Sequence, residues 1–200
     1  MSDSQLLGRV HWNDPLAVDY LSLTIANLPL SDSVTIVCVG TDRSTGDCLG
    51  PLVGTQLMKE KARGRLASNV TIYGTLDEPV HALNLSDYAR RLVGREHRSS
   101  TIIALDACLG RSKSIGYISV KQGPLQPGTG VNKQLPSVGD YHIIGIVNVS
   151  GFMEHVVLQN TRLSLVMRMA EVISRSLVIG LSSSSVPASR EAALSAHVLQ

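Results

Sequence analysis

Val34-Thr-Ile-Val-Cys-Val39, closed by Gly40, decides how the rest of the chain reads. A short β-branched run that stops at a glycine describes a buried strand. The polar loop Gly40-Thr-Asp-Arg-Ser-Thr-Gly-Asp-Cys-Leu-Gly-Pro51 follows, and from Leu49 to about Arg63 the pattern turns helical, with Leu52, Val53, Leu57 and Met58 as the apolar face. The same alternation continues downstream. Strands are expected at Asn69–Gly74, at Thr101–Leu105 ending on Asp106, and at Tyr141–Val147. Helices are expected at Pro79–Val93 and, longest of all, Phe152–Leu177. Ile115–Lys121 alternates like a half-exposed strand at or near an edge. Upstream, Asn13-Asp14-Pro15 opens a helix reaching about Asn27, a capping side chain followed by proline at the first helical position. Leu16, Tyr20, Leu23 and Leu28 lie near one face of it, with Trp12 stapling its entry.

Strands separated by helices imply parallel pairing, and hence an α/β fold: a three-layer α/β/α sandwich whose sheet is mainly parallel, mixed by the 115–121 strand. Residues 1–180 are expected to form a single domain. Residues 181–200, with four consecutive serines and a proline before an Ala/Leu stretch, read as a flexible extension.

Composition bounds the function. The apolar fraction is 44% with only seven aromatics, so the core must be aliphatic. A net charge of +2 leaves no electrostatic footprint for nucleic acid, and so few aromatics leave no base-stacking surface. Cys38, Cys48 and Cys108 form neither a disulfide framework nor a C-x-x-C zinc motif, which suits a reducing cytoplasm. No basic segment followed by an apolar run marks a secretory signal, and no apolar stretch is long enough for a membrane span.

In open α/β sheets, ligands bind beyond the carboxyl ends of the strands, where strand order reverses. Asp106 directly follows one expected strand and Asp47 lies in the loop after another. If those strands are neighbours, both carboxylates project into one crevice. Two carboxylates about 4 Å apart repel by roughly 4 kcal/mol at an effective dielectric near 20, about three pKa units, which keeps one proton on the pair. One ionised and one protonated carboxyl can activate water and polarise a carbonyl; alternatively, both stay ionised around a divalent metal. The structural alternative is that both are turn or helix caps.

Gly46-Asp47-Cys-Leu-Gly-Pro51, then Ala104-Leu-Asp106-Ala-Cys108, then Pro127-Gly-Thr-Gly-Val-Asn-Lys133 resemble, in order and spacing, the spore germination protease family over about residues 33–177. The resemblance implies a phosphorylase/hydrolase-like fold and an aspartic-type endopeptidase without cofactor or metal, whose two essential aspartates fall on Asp47 and Asp106. It also implies a cytoplasmic place in the sporulating cell or forespore and a protein or peptide substrate of the small acid-soluble spore protein kind. Self-association into a homo-oligomer stays open. Asp42, Arg43, Gly128, Asn132 and Asn148 are the further residues expected to bind substrate or line the site.

The chain also resembles the hydrogenase maturation endopeptidases, which hold a metal between two acidic residues and a histidine. The acidic positions match Asp47 and Asp106, but Asn148, in Asn148-Val-Ser-Gly-Phe152, stands where the histidine would be. A neutral amide is a poor ligand for nickel or zinc. His142 and His155 are offset from that position. Cys48 and Cys108 flank the aspartates, but no histidine is patterned to activate either thiol. The 40–46 loop lacks the Gly-Lys-Ser/Thr ending of a phosphate-binding loop. An aspartic peptidase leads, ahead of a partner-binding protein on the same fold and a metallopeptidase of the maturation type.

Overall fold

The computed structural model describes residues 4–93, 99–127 and 135–182. Its elements run β1 (Gln5–His11), α1 (Ala17–Ala26), β2 (Ser33–Cys38), α2 (Leu49–Ala62), β3 (Val70–Tyr73), α3 (Leu85–Val93), β4 (Ser100–Gly110), β5 (Tyr117–Gln122), β6 (Tyr141–Val149), α4 (Glu154–Gln159) and α5 (Leu163–Gly180). The sheet order is β1-β5-β6-β4-β2-β3, with β3, β2, β4 and β6 parallel and β5 antiparallel to both β6 and β1. The chain is therefore α/β, with a mixed, mainly parallel sheet.

Two aliphatic clusters sandwich the sheet. The larger joins Leu21 and Ile25 of α1, Val53 and Leu57 of α2 and Met169 and Ile173 of α5 to inward residues such as Ile36, Leu105 and Ile118. The smaller sets Leu85 and Leu92 of α3 against Val37, Val39 and Ala104 on the other face. Strand parity explains the division: Ile36 and Val37 point to opposite faces, and both are fully buried.

Several expectations give way. β1 was not foreseen. It is an edge strand in which alternate residues face solvent and Gly8 interrupts the pattern at a bulge, so no apolar run marks it. β1 forms the edge itself, so β5, expected at or near an edge, is the next strand in and is mostly buried rather than half-exposed. The buried face of α1 is Ala17, Leu21 and Ile25 rather than the stripe through Leu16 and Tyr20. Met58 of α2 is 45% exposed. The helix expected from Pro79 starts at Leu85 because Asn84 closes a turn before it, accepting from the His81 N–H at 2.8 Å and donating to the Pro79 carbonyl at 3.0 Å. Val80, just ahead of that turn, instead bridges to Val39. The long C-terminal helix is two, α4 and α5, broken where Asn160 and Thr161 turn their side chains back to the Val156 and Val157 carbonyls. Gly128 and Asn132, and the segment 183–200, lie outside the described residues.

Gly50 shows how tightly the first βα unit is built. A methyl there would sit 2.0 Å from the Val39 carbonyl oxygen, so α2 can lie against β2 only without a side chain at this position. Gly50→Ala is expected to cost about 2–4 kcal/mol in urea unfolding, because the obstacle is backbone and cannot rotate away. Gly64, with φ +72° but open space around it, is the control; its alanine variant meets only the backbone penalty of roughly 1 kcal/mol.

Candidate active site

Beyond β2, the connections of the sheet part in opposite directions: β2 leads through α2 to β3 on one side, and β4 leads to β5 and β6 on the other. Both aspartates line the crevice near that divide. Asp106 is not beyond a strand, as the sequence suggests, but within one. β4 continues to Gly110, while β2 stops at Cys38, paired with Leu105. From Asp106 onward β4 keeps only β6 as its sheet neighbour, so the Asp106 carboxyl opens into the space left by the shorter strand.

Asp47 reaches the same space by a tight turn. Residues 46–48 form a single 3-10 turn running into α2. The Asp47 carbonyl accepts the Thr41 N–H at 3.1 Å, and its own N–H donates to the Ser44 carbonyl at 3.1 Å. Gly40, at φ +146°, makes this closure possible: a Cβ there would lie 2.0 Å from the Asp47 carbonyl oxygen. A Cβ at Gly46 would lie 2.7 Å from the Leu158 side chain of α4. Asp47 does not cap α2, whose N-cap is Cys48 and carries no side-chain cap hydrogen bond.

Asp47 and Asp106 line one cavity of about 510 Å³, together with Arg43 and His155. Much of the remaining wall is aliphatic, including Leu83, Leu125, Ile144 and Leu158. That apolar surround sets the electrostatics. Burial pushes the Asp106 carboxyl up to about 8, opposed by the Ala107 N–H that donates to it at 2.8 Å and reinforced by the charge of Asp47. Burial also raises Asp47, while the Ser44 hydroxyl and His155 draw it down. The Ser44 hydroxyl is buried beside Asp47 without completing a hydrogen bond of normal geometry among the described residues. The apolar surround therefore favours the protonated form of both carboxyls, and most strongly that of Asp106.

The other sequence candidates separate. Arg43 lines the cavity. Asp42 does not; it is exposed, and its charge bears on Cys48 instead. Asn148 does not line the cavity either. Its side-chain amide donates to the Val157 carbonyl at 3.3 Å and the Thr161 hydroxyl at 3.2 Å, tying β6 to α4 and the turn after it. The residue that sequence reasoning set aside is His155, which α4 carries to the cavity wall, with Gln159 against its Nε2 at 3.1 Å. The break at Asn160–Thr161 and the left-handed Met153 turn α4 toward the 46–48 turn, and no helical periodicity reveals that.

The thiols are poor nucleophiles. Burial pushes Cys38 and Cys108 up to about 12, and Cys48 is raised as well, its Sγ donating to the Thr45 carbonyl at 2.9 Å. Among the described residues no three His, Cys, Asp or Glu side chains are grouped to hold a metal ion. No helix among the described residues is long and apolar enough to cross a membrane.

Comparison with known proteins places these features in a family. The chain is 54% identical over 144 residues to the protein named "Uncharacterized protein YyaC" of Bacillus subtilis (strain 168), covering 72% of this chain and 67% of that one. Among solved structures it is similar to the [NiFe] hydrogenase maturation protease HycI of Thermococcus kodakarensis, at 16% identity and a TM-score of 0.49, over 76% of this chain and 93% of that one. Residues 9–176, from the edge strand through nearly all of α5, match the family described as "Protein of unknown function (DUF1256)", and the chain belongs to that family.

Proposed function

We propose that this protein is an aspartic-type endopeptidase of the sporulating cell, acting on small proteins of the acid-soluble spore type. One observation carries the reading: two carboxyls share a largely apolar cavity, and one of them holds its proton to about pH 8. In the reaction, ionised Asp47 takes a proton from water as the oxygen attacks the peptide carbonyl. Asp106 gives its proton to the carbonyl oxygen as that oxygen gains charge. Collapse of the tetrahedral intermediate breaks the C–N bond, the amine leaving with the proton held by Asp47 while Asp106 recovers its own. The sporulation context and the substrate class rest on the resemblance of three sequence motifs to those of the germination proteases.

A partner-binding role is the second reading, favoured by the apolar side chains exposed at and near the cavity: Leu83, in its wall, is 80% exposed, and Phe152, just before α4, is 91% exposed. A randomised peptide library separates the two. Wild-type protein should cleave it between pH 5 and 8, and excess chelator should leave the rate unchanged. No cleavage across that range would remove the peptidase reading, and chelator-sensitive cleavage would replace the aspartic mechanism with a metal-assisted one.

A further inference from the structure

The proposed reaction needs Asp47 ionised, in a cavity where burial pushes it the other way. Asp106 has a fixed backbone partner, the Ala107 N–H at 2.8 Å. Asp47 has none: among the described residues no N–H is directed at its carboxyl, and no ion pair reaches it. Arg43 of its own loop, His81 ahead of α3, Asp106 and Cys108 of β4, and Glu154 and His155 of α4 are the titratable or charged groups that line the cavity with it. Of these, His155 opposes the effect of burial by charge, from an exposed position where salt screens it. The other opposing group is neutral and stands outside the cavity. It is Ser44, which is 5% exposed and does not line the wall.

Backbone hydrogen bonds hold Ser44 in place. The Asp47 N–H donates to the Ser44 carbonyl, and the next N–H, of Cys48, donates to the Thr45 carbonyl at 3.4 Å. The spacing Ser44-Thr-Gly-Asp47 is that of a capping box, in which the serine hydroxyl accepts the backbone N–H three residues on. Here that N–H goes to the Ser44 carbonyl instead, so the hydroxyl caps nothing. Among the described residues Ser44 Oγ is the one buried side-chain oxygen or nitrogen that completes no hydrogen bond of normal geometry, yet it is near enough to draw Asp47 down. A buried hydroxyl left in this way costs stability, and an alanine would fill the space without that cost. Its presence calls for a task.

We infer that Ser44 is a positioning residue, whose hydroxyl donates to the Asp47 carboxylate from outside the cavity and keeps Asp47 the base of the pair. The inference rests on the peptidase reading and deepens it. A neutral donor suits the task. Asp47 must carry its charge before the attack, take a proton from water, and pass that proton to the leaving amine. A cation in contact would favour the charged form so strongly that the base lost its strength. A hydroxyl opposes burial more gently, and with one proton and two lone pairs it can turn as the charge on the carboxyl comes and goes. Ser44 meets neither substrate nor attacking water, so it acts through Asp47 alone.

The test follows kcat and KM for one cleaved peptide across the acid range in full-length wild type, Ser44→Ala and Ser44→Thr. The acid limb of the kcat profile reports ionisation of the base in the bound complex. In Ser44→Ala that limb should move up by about one pH unit, a loss of about tenfold at its acid end that closes on the plateau, with KM unchanged. Ser44→Thr keeps the hydroxyl and should restore the wild-type limb. A second readout needs no cleavage. The carboxyl carbon signal of Asp47 in NMR, assigned by its loss in Asp47→Asn, should titrate higher in Ser44→Ala than in wild type. A limb and a signal that both stay where they are overturn the inference and leave the peptidase reading standing. An equal loss at every pH, or a Ser44→Thr variant that behaves like alanine, would make Ser44 a packing residue and overturn it too. If wild type cuts no peptide, the peptidase reading falls and the carboxyl signal decides alone: a raised titration upholds the hold of Ser44 on Asp47, and an unmoved one sinks both.

Discussion

Asp47→Asn and Asp106→Asn are each expected to lower kcat on any cleaved peptide by about a thousandfold, and the double variant should be scarcely worse than either single one. The reason is the division of labour that the cavity imposes. With Asp106 protonated to about pH 8, an asparagine at 106 keeps a hydrogen-bond donor near the substrate carbonyl but has no proton to give. Burial raises Asp47 as well, with Ser44 and His155 opposing the rise, and an asparagine at 47 leaves no base for the water. Neither half works without the other, so the losses overlap rather than multiply. The same division predicts that kcat falls as pH rises past about 8, when Asp106 loses its proton. Steady-state kinetics on one purified peptide would decide the matter. Normal turnover in either variant clears that residue of a catalytic role, and additive losses would mean that the carboxyls act independently.

How much of this was legible beforehand follows from which interactions are local. The first βα unit was readable because Val34–Val39 and α2 carry their own signals, and the motif glycines Gly40, Gly46 and Gly50 mark places where backbone and side chains leave no room for a Cβ. The sequence suggested that Asp106 ends its strand; in fact β4 simply outlasts β2, a difference of strand length that depends on the pairing partner. Asn148 and His155 exchange significance for a similar reason. The direction of α4 is set by side chains at 160–161 folding back on the preceding turn and by a left-handed residue at Met153, whose φ is 57°. β1, with its bulge and its exposed alternate residues, was invisible to periodicity, although it pairs with β5 along nearly its whole length. Local propensity located the scaffold; the reach of each side chain across the crevice is a tertiary property.

Asp106→Asn should also abolish the pH dependence of stability that Asp106 imposes. In the folded protein this carboxyl titrates at about 8, against an ordinary value of 3.8. Below about pH 4 it is protonated in both folded and unfolded chains and contributes no difference. Between about pH 4 and 8 the unfolded chain releases a proton that the folded chain retains, so folding loses stability steadily as pH rises. Above about pH 8 the penalty is complete. A shift this large sets a ceiling of roughly 6 kcal/mol, and the partial exposure of Asp106 through the cavity mouth trims it to about 2–4 kcal/mol. Asparagine carries no such penalty and can still accept the Ala107 N–H, so the local backbone is undisturbed. The variant should match wild type near pH 4 and exceed it near pH 9 by that margin, a rise in Tm of roughly 5–10 °C. Other groups whose protonation depends on folding, such as His142, which burial lowers, act alike in both proteins and cancel in the difference. Urea unfolding at pH 4, 6.5 and 9 gives the comparison. A gap that stays constant across the range would mean that Asp106 titrates as an ordinary carboxylate, and the assignment of the catalytic proton to it would fall with that result.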